Sequence, residues 1–418
     1  MISPDEARSY VLSQCRPLGV VEVAVADALG MVLAAPVHAR EAVPPFVNSS
    51  MDGYALRSQD VATVPARLRV VAEVMAGDDP SAVFVGPGEA ARVMTGGVIP
   101  QGADAVCMVE RTRGDGAGWV VIEDAVRAGT SVRPAGDDLA AGEQVFDAGE
   151  QIGAAHLGVL VSAGAERVLA YRTPRAGVIS TGDELVSGPG PLPPGKIRDG
   201  NRPSLLARLR ADGFGAVDLG QAPDEMGALE AMLERAAADC DAVLTSGGVS
   251  VGDRDLVKIV LEKLGGTTAR WLQVAVKPAK PFAFAVLPLG RGVPVFGLPG
   301  NPVSALVSYE LFARPALRLM AGHRNLGRPV LEVTAAEDLR REPDGRLHLV
   351  RAVLSPGEGG HLEARSSGRQ GSHQLSALAH ANALVLLPDG TGVASGAKVK
   401  AWLLDTGPLA PAGAGVIA

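Results

Sequence analysis

Ala242-Val-Leu-Thr-Ser-Gly-Gly-Val-Ser-Val-Gly-Asp-Arg-Asp255 is the stretch that decides the fold. Its apolar start, Ala242–Thr245, has the length of a strand and ends in a glycine pair; a helical segment, Asp255–Leu264, follows. A short apolar strand that opens through glycines into a helix is the repeating unit of a doubly wound sheet. The same rhythm extends outward on both sides. Upstream lie strand-like Ala176–Ser180, a helix near Pro203–Ala211, strand-like Ala216–Leu219 and helical Met226–Ala238. Downstream come strand-like Trp271–Val276, Ala283–Leu287 and Val293–Gly297, then a helix starting at Pro302. This alternation predicts an α/β domain with a doubly wound, mostly parallel sheet over residues 175–322.

Outside that domain the rhythm changes. Residues 46–138 alternate short β-like runs (Leu68–Val74, Ala91–Met94, Ala105–Glu110, Trp119–Glu123) with Gly/Pro turns, which predicts a β-rich inserted domain. Residues 1–45 and 139–174 flank it as a discontinuous N-terminal and linker domain. They hold a helix over 3–15 behind a Ser3-Pro-Asp-Glu cap and another at Gly153–Ser162. From 323 to 405 short strands return (Val330–Val333, Leu347–Leu354, Ala383–Leu387, Lys398–Leu403), expected to form a C-terminal, barrel-like β domain. The Gly/Ala-rich tail after Thr406 reads as frayed.

The chain has 418 residues, enough for about three domains of ordinary size. Hydrophobic residues at 47 % and charged residues at 20 % exclude wholesale disorder. Aromatics are only 4 %, so the core must be aliphatic; 52 Gly and 30 Pro imply many tight turns. Lys+Arg 39 against Asp+Glu 46 leaves a net charge of −7 with no long basic block. A general nucleic-acid binder is thereby disfavoured, while a local positive patch can still hold a small anion. Cys15, Cys107 and Cys240 lie far apart without a Cys-x-x-Cys, so neither a zinc cage nor a redox pair is expected. The polar, acidic start is unlike a secretory signal, and apolar stretches such as 20–37 are broken by Glu22, Asp27 and Pro36. The expectation is a soluble, cytoplasmic protein with no membrane role.

Ligands of an open parallel sheet bind at the carboxyl ends of its strands. In Ser180-Thr-Gly-Asp-Glu-Leu, adjacent Asp183 and Glu184 suit a hydrated Mg²⁺ beside phosphate, although a turn with a helix cap fits equally well. In the 245–255 loop, Gly247 and Gly248 let backbone approach a phosphate, Ser246 and Ser250 add hydroxyls, and Asp253 and Asp255 add acids. It is neither G-x-G-x-x-G nor a Walker A loop, and an ordinary turn stays open as a reading. Phe296-Gly-Leu-Pro-Gly-Asn-Pro-Val-Ser places Asn301 as N-cap and Pro302 at the first helical position, leaving N–H groups for an anion or for the cap alone. Val276-Lys-Pro-Ala-Lys-Pro-Phe pins two lysines between prolines, a pre-organised pair suited to a tetrahedral oxyanion or else a solvated turn. Asn48-Ser-Ser-Met-Asp-Gly-Tyr and the Met94–Asp104 segment read as polar loops. The seven histidines have no metal-ligand spacing, and no G-x-S-x-G elbow exists.

Together with those loops, Ser50-Met-Asp-Gly-Tyr-Ala, Met94-Thr-Gly-Gly, Lys277-Pro-Ala-Lys-Pro and Gln370-Gly-Ser-His occur in an order that closely resembles the MoeA-type molybdopterin molybdenumtransferases. That family includes the C-terminal domain of gephyrin. The resemblance covers about residues 1–405. It implies insertion of molybdate into adenylylated molybdopterin, with Mg²⁺-assisted release of AMP. It further implies a homodimer whose cleft is shared between one subunit's sheet domain and the other's second domain. Handover of the substrate from a molybdopterin adenylyltransferase is implied as well.

Carried over by motif, Asp52, Thr95, Asp138, Glu184, Asp224 and Asp255 resemble the family's functional polar residues, with Glu184 and Asp255 at the metal. Asp137 competes with Asp138 for its place. Thr181, Gly182, Ser246, Gly247, Gly248, Ser250, Pro299 and Pro302 resemble the pterin and nucleotide cradle. Lys277, Lys280, Ser304, Arg351 and Ser372 resemble the molybdate pocket. Where many members carry a lysine, this chain has Gln273, which donates hydrogen bonds but supplies no charge. Two other readings remain: a molybdopterin adenylyltransferase, whose fold resembles residues 175–320 alone, and a non-catalytic, gephyrin-like scaffold.

Overall fold

The computed structural model describes residues 1–116, 118–249, 256–357 and 360–406. The tail after Thr406 and the 250–255 loop, with Ser250, Asp253 and Asp255, lie outside the described residues. The chain divides into two compact units, one of Met1–Val20 with Tyr171–Ala418, the other Val21–Ala170.

The first unit is built on a six-stranded sheet. Its order is Gly215–Ala222, Arg175–Thr181, Ala242–Ser246, Val293–Leu298, Pro281–Leu287, Arg270–Gln273. The first four strands run parallel, and Pro281–Leu287 alone is reversed, antiparallel to both Val293–Leu298 and Arg270–Gln273, as a mostly parallel sheet requires. Alternate residues of each strand serve different cores. Val178, Leu244 and Phe296 join Ala7 and Val11 of helix Pro4–Ser13 and Leu205 and Leu209 of helix Asn201–Ala211. Ile179, Val243 and Val295 join Leu229 and Leu233 of helix Met226–Asp239 and Val257 and Leu261 of helix Leu256–Gly265. Helices thus cover both faces, which is why the inner strands Ala242–Ser246 and Val293–Leu298 are buried throughout instead of alternating with polar residues. Each buried Leu, Val or Phe contributes about 1.5–3 kcal/mol. Helix Pro4–Ser13 starts where Ser3 and Glu6 cap each other reciprocally, Glu6 N–H donating to Ser3 Oγ at 3.1 Å and Ser3 N–H to Glu6 Oε2 at 2.8 Å.

The expected strand Trp271–Val276 is two pieces. Arg270–Gln273 stays in the α/β sheet, while Val276–Lys277 leaves it and pairs in parallel with Leu347–Pro356. The turn between them is closed by Val274 N–H donating to the Lys280 carbonyl at 2.8 Å. Leu347–Pro356 belongs to a closed five-stranded barrel with Leu362–Ser366, Val330–Ala335, Lys398–Leu403 and Ala383–Leu387. Val333, Leu354, Val385 and Val399 fill its interior. Closure leaves those strands without a free edge.

The second unit carries another six-stranded sheet, ordered Ala105–Met108, Gly53–Leu56, Glu89–Val93, Ala66–Val74, Trp119–Ile122, Thr112–Gly114. Gly53–Leu56, which overlaps the end of the Asn48–Tyr54 segment expected to be loop, is an interior strand with Ala55 and Leu56 buried. Its four residues are too few for an alternation that stands out against the polar Asn48–Asp52 ahead of it. Among the described residues, no helix is long and apolar enough to cross a membrane.

Candidate active site

In the α/β sheet the strand order reverses between Arg175–Thr181 and Ala242–Ser246. The chain leaves the first of these for Gly215–Ala222 on one side and returns to the second on the other. A crevice opens at the carboxyl ends of strands where the order reverses. Here it is bordered by Thr181, by Ser246-Gly247-Gly248 and, beyond the next strand, by Pro299-Gly300. Gly247 has φ +102°, and a Cβ there would collide with the Thr181 carbonyl. The two strand ends therefore approach as closely as bare backbone allows. Gly247→Ala should destabilise the protein by about 2–4 kcal/mol through left-handed strain plus overpacking. A urea unfolding curve checks this, and unchanged stability would show that the close approach relaxes at no cost.

The acids of this edge fall into two kinds. Asp183 and Asp224 tie their loops together: Asp183 N–H donates to Asp224 Oδ2 at 3.2 Å and Asp224 N–H to Asp183 Oδ1 at 3.3 Å. Asp224 is thereby brought beside the 180–185 loop. Glu184 is exposed, and its carboxylate has no hydrogen bond or ion pair among the described residues. It lies over Gly182, where φ is +133° and a Cβ would come within 2.5 Å of Oε2. Helix Pro302–Ser308 begins at Asn301 as expected, but the Asn301 side chain caps nothing. The N–H groups expected to be open are partly used: Val303 donates to the Ser372 carbonyl at 3.1 Å and Ala305 to that of Asn301 at 2.9 Å.

That Val303–Ser372 bond draws the 370–373 loop of the barrel onto the helix that carries buried Ser304. Arg351, 1 % exposed, lies under the same loop. Its Nη2 donates to the carbonyls of Arg369 at 2.8 Å and Gly371 at 3.1 Å, while its Nε has no partner. No carboxylate among the described residues pairs with it, and burial pulls its guanidinium down to about 10. Arg351, Lys277, Gln370 and Gly371 line one cavity of about 790 Å³. Lys280, Ser304 and Ser372 are not among its lining residues. Between the two lysines, Ala279 is buried at φ +88°, a backbone region costly for a residue with a Cβ. Residue-level reading foresaw the lysines; it had no signal for Arg351, which stands in an apolar run.

In the second unit, Thr95 donates both its N–H and its hydroxyl to Asp52 Oδ1, each at 2.7 Å. Those two bonds, helped by the Arg92 charge, hold the Asp52 carboxyl below its ordinary range. Asp138 is exposed, its N–H donating to the Val43 carbonyl at 2.9 Å. Among the described residues, no three His, Cys, Asp or Glu side chains cluster as a metal cage. Mg²⁺ does not require one, since it keeps waters and binds through one or two carboxylates together with substrate phosphates. Glu184, exposed and without a side-chain partner among the described residues, fits that mode.

Comparison with known proteins agrees along most of the chain. Residues 2–164 match the MoeA N-terminal region (domain I and II), residues 177–319 a probable molybdopterin binding domain, and residues 332–404 the MoeA C-terminal region (domain IV). A molybdopterin molybdenumtransferase of Haemophilus influenzae is 35 % identical, over 94 % of this chain and 96 % of that one. Gephyrin of Dictyostelium discoideum is 32 % identical over 98 % of this chain, which spans 63 % of that protein. A crystal structure of a molybdopterin biosynthesis MoeA protein from a Pyrococcus species superposes with a TM-score of 0.78 at 29 % identity, covering 97 % of this chain and 99 % of that one. With three family matches in order and a relative 35 % identical over nearly the whole chain, the chain belongs to the MoeA family of molybdopterin molybdenumtransferases.

Proposed function

We propose that this protein is the transferase of molybdenum cofactor biosynthesis that inserts molybdate into adenylylated molybdopterin, releasing AMP. The observation that carries the reading is Arg351, a buried cation that no carboxylate among the described residues pairs with, sharing with Lys277 a cavity whose wall also holds Asp338 and Asp344, in a chain of net charge −7. Molybdate has two negative charges and no hydrogen to donate, so it needs fixed cations and N–H or O–H donors. Lys277, Lys280 and Arg351 supply the charge, and Ser304 and Ser372 the hydroxyls. Thr181, Gly182, Ser246, Gly247, Gly248, Ser250, Pro299 and Pro302 hold the pterin and nucleotide against the crevice. Glu184 and Asp255 would hold Mg²⁺, which supplies positive charge beside the phosphates. Asp224 positions the Glu184 loop through Asp183. Domains over 1–45 with 139–174, 46–138, 175–322 and 323–405 belong to the same proposal, as does a cytoplasmic setting with substrate handed over by a molybdopterin adenylyltransferase.

Asp52, Thr95 and Asp138 belong in this reading to a homodimer whose site is completed by the partner's second domain. An Asp52→Ala protein mixed with an Asp255→Ala protein should then regain part of the activity after subunit exchange, because each heterodimer rebuilds one intact cleft. Activity no higher than that of either parent would place the whole site within one chain. The reaction itself is tested by incubation with adenylylated molybdopterin and molybdate. AMP release there supports the transferase; in a separate incubation with molybdopterin and ATP, adenylylation with release of pyrophosphate supports the adenylyltransferase, and neither reaction a scaffold.

A further inference from the structure

Asn201, the first residue of helix Asn201–Ala211, touches two of the crevice loops at once. Its Nδ2 lies 2.7 Å from Ser246 Oγ and 2.7 Å from the Gly300 carbonyl oxygen. The orientation of an amide is otherwise ambiguous, because its oxygen and nitrogen are interchangeable in shape. Here Gly300 decides it. A backbone carbonyl can only accept, so the nitrogen must face it, and both N–H groups of that nitrogen are then spent, one on Gly300 and one on Ser246. Ser246 Oγ is thus an acceptor toward Asn201. Its own proton cannot return along that bond and has to be donated elsewhere.

We infer that Asn201 is a positioning residue that fixes the Ser246 hydroxyl as a hydrogen-bond donor to a phosphate oxygen of the adenylylated substrate. Ser246 is 2 % exposed and ends the strand at the switch in strand order. Ser180, its register partner on the neighbouring strand, has a fully buried hydroxyl with no partner, and among the described residues no group accepts the Ser246 proton. A fixed donor favours ligand atoms that only accept, such as phosphate oxygens, and disfavours a ligand that presents its own donor there. Asn201 itself need not touch the substrate, since it acts through Ser246 and holds the Gly300 turn in place.

This rests on the proposed transfer reaction, and the test keeps the two apart. AMP binding and the KM for adenylylated molybdopterin are measured for wild type, Asn201→Ala, Asn201→Asp, Ser246→Ala and the double variant Asn201→Ala with Ser246→Ala. Asn201→Asp keeps the shape but replaces the donor by an acceptor, so Ser246 would turn its proton inward. Each single change should weaken AMP binding about tenfold, the scale of one hydrogen bond to a charged group. The molybdate concentration for half-maximal rate should stay the same. In the double variant the two losses should not add, because both remove the same donated proton. Fully additive losses, or AMP binding unchanged in Asn201→Asp, would overturn the inference. A wild type that neither binds AMP nor releases it would overturn the functional reading and this inference with it.

Discussion

Arg351→Gln should raise the molybdate concentration for half-maximal AMP release by about 10- to 100-fold, and Lys280→Ala should act in the same direction. A hydrogen bond to a charged group contributes about 1.5–3 kcal/mol, and each 1.4 kcal/mol is roughly tenfold in affinity. Stability should respond in the opposite sense. The guanidinium is buried with no counter-charge paired to it among the described residues, and burial alone lowers its affinity for its proton. An uncompensated buried charge opposes folding and outweighs the two carbonyl bonds that the change removes, so the shorter, neutral Gln should melt no lower than wild type. A residue whose removal costs substrate use while sparing stability is retained for function. A molybdate titration beside a thermal melt checks both halves. An unchanged titration, or a collapse of the fold, would show that Arg351 serves the barrel instead of the oxyanion.

Glu184→Gln should slow AMP release by about 100-fold or more, since a divalent cation at a phosphate contributes several kcal/mol to stabilising the charge that develops. The change removes one charge and almost no volume. Glu184 is exposed and makes no side-chain bond among the described residues, so unfolding should be unaffected. The loss should be partly recovered at high Mg²⁺ if the remaining ligands still hold the ion weakly. Wild-type turnover in Glu184→Gln would remove this carboxylate from the reaction.

The sheet domain was legible because its signal is local. Apolar runs of strand length, glycine pairs and helix starts stand next to one another in the chain, and the inner strands are apolar on both faces because helices cover both. The split of Trp271–Val276 was not legible. Continuous β propensity carries no mark of where a chain leaves one sheet for another, and the turn is set by Val274 bonding to Lys280. The glycines and lysines of the site announce themselves by type. Arg351 does not: it stands in the apolar run Leu347-His-Leu-Val-Arg-Ala-Val-Leu354, and it is the 369–371 loop, brought over it from 18 to 20 residues away, that holds it. Asn201 follows a glycine at an unremarked helix start, and its partners lie 45 and 99 residues away. Its role depends on how Asn201–Ala211 crosses the sheet, which no local pattern encodes.

The central claim is transfer of the metal, and it is tested most directly by a single turnover with stoichiometric adenylylated molybdopterin, Mg²⁺ and molybdate, counting AMP and pterin-bound molybdenum together. The account predicts that the two appear at the same rate and in equal amounts. AMP released without molybdenum reaching the pterin, or no AMP released at all, would contradict it.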